Sequence, residues 1–114
     1  MKVTVYHREM TNTGFDGPMT RVAVVEAPTD NIMDALEYAF RWTNNVMGSW
    51  SRDDIEDNGD FNENVTRVAP LCEGGYGLRS TSVGDIMYVD YKNSPCYEVM
   101  PMGFRCVSVE EDAA

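Results

Sequence analysis

Histidine, paired cysteines and basic residues are scarce in this chain, and each shortage argues against a class of chemistry. His7 is the single histidine, so histidine catalysis would need a cysteine partner that nothing in the sequence indicates. Cys72, Cys96 and Cys106 lack the close spacing of metal ligands. An odd number of cysteines without an export signal favours free thiols in a reducing cytoplasm. We therefore expect neither metal nor cofactor, and a role that is not enzymatic.

Long hydrophobic runs are also missing. No apolar stretch reaches the roughly 18 residues of a membrane helix, and the N-terminal sequence MKVTVYHREM alternates and carries charge, unlike a signal peptide. Nine basic residues against 19 acidic ones leave a formal net charge of −10. Such a surface repels nucleic acid and anionic membranes, so we expect neither as a direct partner. It suits docking onto a basic protein surface.

One amphipathic helix is predicted over residues 30–44. Its apolar stripe consists of residues at helical spacing: Ile32, Ala35, Leu36, Ala39, Phe40 and Thr43. Thr29 or Asp30 is expected to cap the first turn. Glu37 and Arg41 are spaced for an ion pair on the outer face of the helix.

Alternating and apolar segments predict the strands of a sheet within a single domain, residues 1–114. They are residues 2–8, 19–27, 64–70, 85–91, 96–101 and 103–109. Turn-forming residues fill 11–18 and 92–95, and the tail 110–114 is expected to fray. The predicted fold class is α+β, with an antiparallel or mixed sheet of about four to six strands and the helix packed on one face.

Residues 46–64 are predicted to form an extended, exposed acidic loop, because like charges repel one another. The residues expected to contact a partner are Trp50, Asp53, Asp54, Glu56, Asp57, Asp60, Phe61 and Glu63. Trp50 and Phe61 are expected either to tie the loop to the body of the protein or to act as apolar anchors for the partner. The acids that begin at Asp54 superficially fit a calcium loop, but its twelfth position should be a glutamate and is Val65. The loop is therefore a candidate partner-binding surface and not a metal site.

The segment GLRSTSVGDIMYVD, residues 77–90, places a cluster of polar residues before an apolar run. The serines and the threonine can hold a turn through backbone hydrogen bonds. Gly84 permits a positive φ or the close approach of another backbone, and Asp85 can cap the turn before the strand. A shaped turn is the favoured interpretation. The alternative is a small-molecule or nucleotide-binding loop made of Arg79, Ser80, Thr81, Ser82 and Asp85.

RSTSVGDIMYVD, followed by an aromatic strand and by Gly103 and Phe104, resembles the C-terminal half of small uncharacterised proteins of actinobacteriophages and related mobile elements. The order of the helix ALEYAFRWTNN, Trp50 and NVTRV is also similar, so the resemblance covers roughly residues 20–107. The family has no established activity. The resemblance implies a phage-encoded accessory protein of the host bacterial cytoplasm, and the acid-rich insert at 53–63 departs from the family pattern.

Charge and resemblance together predict a non-enzymatic interaction module whose acidic loop engages a host or defence protein with a basic surface. A narrower alternative is mimicry of DNA, which would inhibit a nucleic-acid-binding enzyme and requires carboxylates spread in two tracks. The small-molecule or nucleotide-binding loop is a second alternative. A third is a homo-oligomer that assembles through unpaired edge strands.

Overall fold

The computed structural model describes residues 1–90 and 95–107. Within them the chain forms one six-stranded antiparallel sheet and one α-helix, which confirms the predicted α+β class. The elements are β1 (Lys2–Thr11), β2 (Gly14–Glu26), α1 (Ile32–Trp42), β3 (Val65–Arg67), β4 (Ile86–Asp90), β5 (Cys96–Val99) and β6 (Phe104–Cys106). Their order across the sheet is β3-β2-β1-β4-β5-β6. Most of the predicted turn at 92–95, and the tail 110–114, lie outside the described residues.

β1 and β2 form a hairpin whose turn is only Asn12 and Thr13. The predicted turn at 11–18 is therefore wrong for most of its length. Gly17 and Pro18 lie within β2, at a register shift of the β1–β2 ladder. A bulge uses the same residue types as a turn but lets the strand continue.

The helix α1 lies across one face of the sheet, over β1 and β4. Residues paired across an antiparallel ladder share a face, and the alternation along β1 points Val3 and Val5 toward the helix. The buried residues of this face are Val3, Val5, Ala23, Val25, Met87 and Val89 from the sheet and Ala35, Leu36 and Ala39 from α1. Burial of each larger side chain stabilises the fold by about 1.5–3 kcal/mol.

The first turn of α1 is capped by Asn31, which corrects the prediction of Thr29 or Asp30. Asn31 Oδ1 accepts a hydrogen bond from the Asp34 backbone N–H at 3.0 Å. Thr29 acts one step earlier, because its hydroxyl accepts from the Asn31 N–H at 3.1 Å. The cap residue must have extended backbone and a side chain that reaches the N–H groups of the first turn, and Asn31 meets both conditions.

The opposite face of the sheet carries a smaller apolar cluster around Ile86 and Cys96, with Tyr6 and Tyr88 packed edge to face. Cys106 lies in the edge strand β6 and is exposed. No helix in the described part of the chain is both long and apolar enough to cross a membrane.

Candidate functional site

The loop that follows α1 folds around the carboxylate of Asp60, which is fully buried. Asp60 Oδ2 accepts hydrogen bonds from the backbone N–H groups of Val46, Met47 and Gly48 at 2.7, 2.9 and 2.7 Å. Burial alone raises the pKa of Asp60, but these hydrogen bonds and Arg41 outweigh it and hold the pKa below its usual value. Asp60 is an internal anion, which corrects its assignment to an exposed partner-binding surface.

Arg41 reaches the same carboxylate from the helix. Its Nη1 lies 3.2 Å from Asp60 Oδ1, and its guanidinium lies 4.1 Å from the centroid of the Trp42 ring. The predicted ion-pair partner was Glu37, whereas the structure places Arg41 against Asp60. A buried carboxylate requires a counter-charge, so this pair fixes the loop to α1.

Asn58 joins the two halves of the loop with its side-chain amide. Oδ1 accepts from the backbone N–H groups of Ser49 and Asp60 at 3.0 and 3.1 Å. Nδ2 donates to the carbonyl oxygens of Ser49 and Arg52, both at 2.7 Å. The segment 46–64 is therefore internally bonded and folded, and the prediction of an extended loop is wrong.

Two aromatic side chains attach the loop to the rest of the protein. Trp50 is 4% exposed and donates from its indole N–H to the Arg79 carbonyl oxygen at 2.8 Å. The Tyr38 hydroxyl accepts from the side-chain amides of Asn62 and Asn64 at 2.8 and 3.1 Å. Trp50 thus points inward, and its predicted contact with a partner is corrected to a contact within the fold.

We call the exposed acids of residues 53–63, together with the exposed apolar residues between them, the acidic face. Its members are Asp53, Asp54, Ile55, Glu56, Asp57, Phe61 and Glu63. Arg52 donates two hydrogen bonds to Asp54, at 3.1 and 2.9 Å, which lower the pKa of that carboxyl. The Phe61 side chain is about half exposed, at 51%. The acidic face thus combines carboxylates with apolar side chains in one loop.

The predicted ligand loop, residues 79–85, is organised by Asp85. This carboxylate is fully buried and accepts two hydrogen bonds from the guanidinium of Arg79, at 2.7 and 2.8 Å. It also accepts from the backbone N–H groups of Arg8 and Ser82, both at 2.8 Å. Asp85 thus caps the turn as predicted. Arg79 and Asp85, the two charged groups of the predicted ligand loop, are paired with each other.

The hydroxyl groups of this segment are also used inside the fold. Thr81 Oγ1 lies 2.9 Å from His7 Nε2 and 2.8 Å from Thr43 Oγ1, in a buried chain of hydrogen bonds. Ser80 Oγ accepts from the Asn45 backbone N–H at 2.8 Å. The structure therefore brings the predicted ligand-loop residues together. They form a packing network between β1, the C-terminal end of α1 and the start of β4.

A groove of about 600 Å³ lies beside that network. Within the described residues, Arg79 is the one member of the predicted ligand loop that lines it, together with apolar side chains that include Phe15, Val22 and Leu78. The Arg79 guanidinium stacks 3.9 Å above the centroid of the Phe15 ring. No group of three potential metal ligands occurs among residues 1–90 and 95–107.

The sequence interpretation missed the residues that shape the loop from inside, namely Asn58, Arg41 and Tyr38. One signal was available, because Asn58 and Gly59 form a typical turn dipeptide in the middle of the acidic segment. Family models, curated proteins and solved structures were all compared with the chain, and none of them matches it.

Proposed function

We propose that this protein is a non-enzymatic accessory protein of bacteriophage origin, which binds a host or defence protein in the bacterial cytoplasm through its acidic face. The phage origin rests on the resemblance carried by RSTSVGDIMYVD. The binding mode rests on one observation: Phe61 is half exposed in the same loop as the exposed carboxylates, and the buried Asp60 holds that loop from inside.

The internal bonding of the loop favours binding, because a preorganised loop loses little conformational entropy when a partner docks. An exposed aromatic ring such as Phe61 can act as an anchor in an apolar pocket. The surrounding carboxylates would attract Lys and Arg side chains at the rim of that pocket and accelerate association. The partner that fits is a protein with a basic surface around an apolar depression.

A charge-reversal experiment tests the electrostatic half of this proposal. The variant with Asp53→Lys, Glu56→Lys and Asp57→Lys is compared with the native chain as bait in host-bacterium lysate at low and high salt. We expect the native chain to retain a basic protein at low salt and to release it at high salt, because salt screens exposed charges. The charge-reversed chain should retain none of it.

A matched control separates the effect of the acidic face from an effect of net charge alone. Glu9→Lys, Asp30→Lys and Glu73→Lys reverse three exposed acids outside the acidic face and change the net charge equally. If both triple variants lose the partner to the same extent, or if the native chain retains no basic protein, the proposal is wrong.

A second substitution tests the apolar half. Phe61→Ala should accelerate dissociation of the purified partner by about tenfold or more, since anchors of this kind contribute about 2 kcal/mol. Met102→Ala is the control, because Met102 is 93% exposed and lies outside the acidic face. Equal dissociation rates for both variants and the native chain would remove Phe61 from the interface.

DNA mimicry has less support. Asp60 is buried and Asp54 is paired with Arg52, so fewer carboxylates of the loop are available to imitate phosphates. The partner recovered in the lysate experiment provides the test. Mimicry requires that partner to bind DNA and the protein to compete with DNA for it, whereas a docking module requires neither.

A further inference from the structure

Asn58 precedes Gly59 in the loop that carries the acidic face. In an Asn-Gly pair the asparagine side chain cyclises readily onto the next backbone nitrogen, because glycine has no Cβ to hinder the approach. Asn58 is also the side chain whose amide joins the two halves of this loop. We propose that Asn58 is a site of spontaneous deamidation, and that this modification opens the loop irreversibly.

The reaction requires only the chain and water. The backbone nitrogen of Gly59 attacks Cγ of Asn58, so an N–Cγ bond forms and the Cγ–Nδ2 bond breaks. The amide proton of Gly59 leaves with Nδ2 as ammonia, and a cyclic succinimide remains. Water then adds to one of the imide carbonyl carbons and returns a proton to the Gly59 nitrogen. Opening at Cγ gives aspartate, and opening at the main-chain carbon gives isoaspartate.

The folded loop protects Asn58 from this reaction. Its Oδ1 and Nδ2 atoms are held by contacts with the backbones of Ser49, Arg52 and Asp60. The side chain must leave all of these contacts before Cγ can meet the Gly59 nitrogen. The rate of deamidation is therefore governed by how often the loop opens locally.

The product cannot restore the closed loop. Nδ2 of Asn58 donates to the carbonyl oxygens of Ser49 and Arg52, and a carboxylate has no hydrogen to donate in its place. A negative oxygen would face two carbonyl oxygens that have lost their donor, which is unfavourable for every group involved. Isoaspartate adds a further distortion, because it inserts a methylene into the main chain between positions 58 and 59.

Deamidation thus converts a folded acidic face into an open, more acidic segment in a time-dependent way. The modification and the opening of the loop are properties of this chain alone. Only the resulting loss of partner binding rests on the proposed function. Both can therefore be measured on the purified chain without any partner. A negative result in those measurements is distinct from failure of the proposed function.

Ageing of the purified protein at mildly alkaline pH tests the modification. The tryptic peptide 53–67 is analysed by mass spectrometry for conversion of Asn58 to the acid forms, in native buffer and in urea. We expect Asn58 to be the main site of conversion within this peptide, which also contains Asn62 and Asn64. Conversion should be about tenfold or more faster in urea, because the protecting contacts are lost. Equal rates in both conditions, or conversion mainly at Asn62 or Asn64, would overturn the proposal.

Brief trypsin treatment of the native protein tests the opening, because the Arg52 carbonyl is one of the groups that Asn58 holds. Cleavage after Arg52 should increase with the deamidated fraction, and Asn58→Asp should show it without ageing. Asn12→Asp adds the same charge at the exposed hairpin tip and should be cleaved no faster than the native chain. Resistance of a folded Asn58→Asp chain to cleavage would contradict the proposal.

Gly59→Ala keeps the test decisive if Asn58→Asp does not fold. The added Cβ would lie 3.0 Å from Cβ and 3.1 Å from Cε of Met47, so this part of the loop must move by a few tenths of an ångström to admit it. It hinders cyclisation, so the aged variant should accumulate several-fold less product at Asn58 and remain resistant to cleavage after Arg52. If Asn58 in Gly59→Ala deamidates at the rate of the native chain, deamidation does not proceed through the cyclic succinimide.

Discussion

His7 is a neutral imidazole inside the sheet. It is 7% exposed, and its Nε2 lies 2.9 Å from Thr81 Oγ1 and 4.0 Å from Asp85 Oδ2. Burial lowers the pKa of His7 from 6.5 to about 4; Asp85 opposes this effect and Arg79 adds to it. The folded protein therefore resists protonation of its one histidine.

Mild acid should destabilise the protein through this residue. Between pH 6.5 and about 4, the unfolded chain binds a proton that the folded chain excludes, so stability falls as the pH decreases through this window. The loss should reach about 3 kcal/mol near the lower end and vanish above the upper end. Urea unfolding at a series of pH values measures it.

His7→Gln is the control for this pH dependence, because glutamine retains hydrogen-bonding groups but does not titrate. The variant should show a nearly flat stability between pH 6.5 and about 5, with the remaining loss at lower pH, where the carboxylates titrate. A native slope that persists in His7→Gln would assign the effect to other groups.

Side-chain environments were predictable where the chain alternates regularly. His7 follows Val3 and Val5 at every second position, so its burial in the sheet could be inferred. Asp60 offered no such signal, because it is one acid among six between positions 53 and 63. Only the folded loop shows which carboxylate the backbone N–H groups surround.

The N-terminus of α1 provides a direct test of its cap. Asn31→Ala should cost about 1 kcal/mol of stability, because the Asp34 N–H loses its acceptor. Asp30→Ala, at the position expected from the sequence, should change stability by a few tenths of a kcal/mol. Urea unfolding of both variants is the measurement, and the reverse order of effects would restore Asp30 as the cap.

The turn before β4 depends on Gly84. Its φ is +97°, and an added Cβ would overlap the carbonyl oxygen of Phe15. Gly14 has a similarly positive φ of +118° but open space around it. Gly84→Ala should therefore lose about 1–3 kcal/mol more stability than Gly14→Ala, since overlap adds to backbone strain. Thermal or urea unfolding of the two variants measures the difference. Equal losses of stability would mean that the structure around Phe15 adjusts to the added Cβ without cost.

Helix and strands differed in how far the sequence predicted them. The spacing of Leu36 and its neighbours located α1 to within two residues at each end, because a helix stripe is a local pattern. The start of β2 was missed, since Gly17 and Pro18 serve in a bulge as well as in a turn. β3 and β6 are each three residues long, and such short strands are defined by their ladder partners more than by their own residues.

The three thiols should differ in their reactivity, because two are exposed in the folded protein and one becomes accessible only on unfolding. Cys72 and Cys106 are exposed, whereas Cys96 is 5% exposed, and burial raises its pKa to about 11. At pH 8 a chromogenic thiol reagent should modify two cysteines rapidly and the third only when denaturant unfolds the protein. Rapid modification of all three in the native state would show that the sheet face around Cys96 is open.

The position of β1 in the sheet determines when, during synthesis, the sheet can be completed. β1 leaves the ribosome before the other five strands of this sheet, yet it lies in the middle of the sheet and pairs on one side with β4, where Val3 meets Val89. Until β4 emerges, that side of β1 remains an unprotected edge on the nascent chain. Contacts so distant along the chain also slow folding, so synthesis leaves a period in which pairing with another chain competes with completion of the sheet.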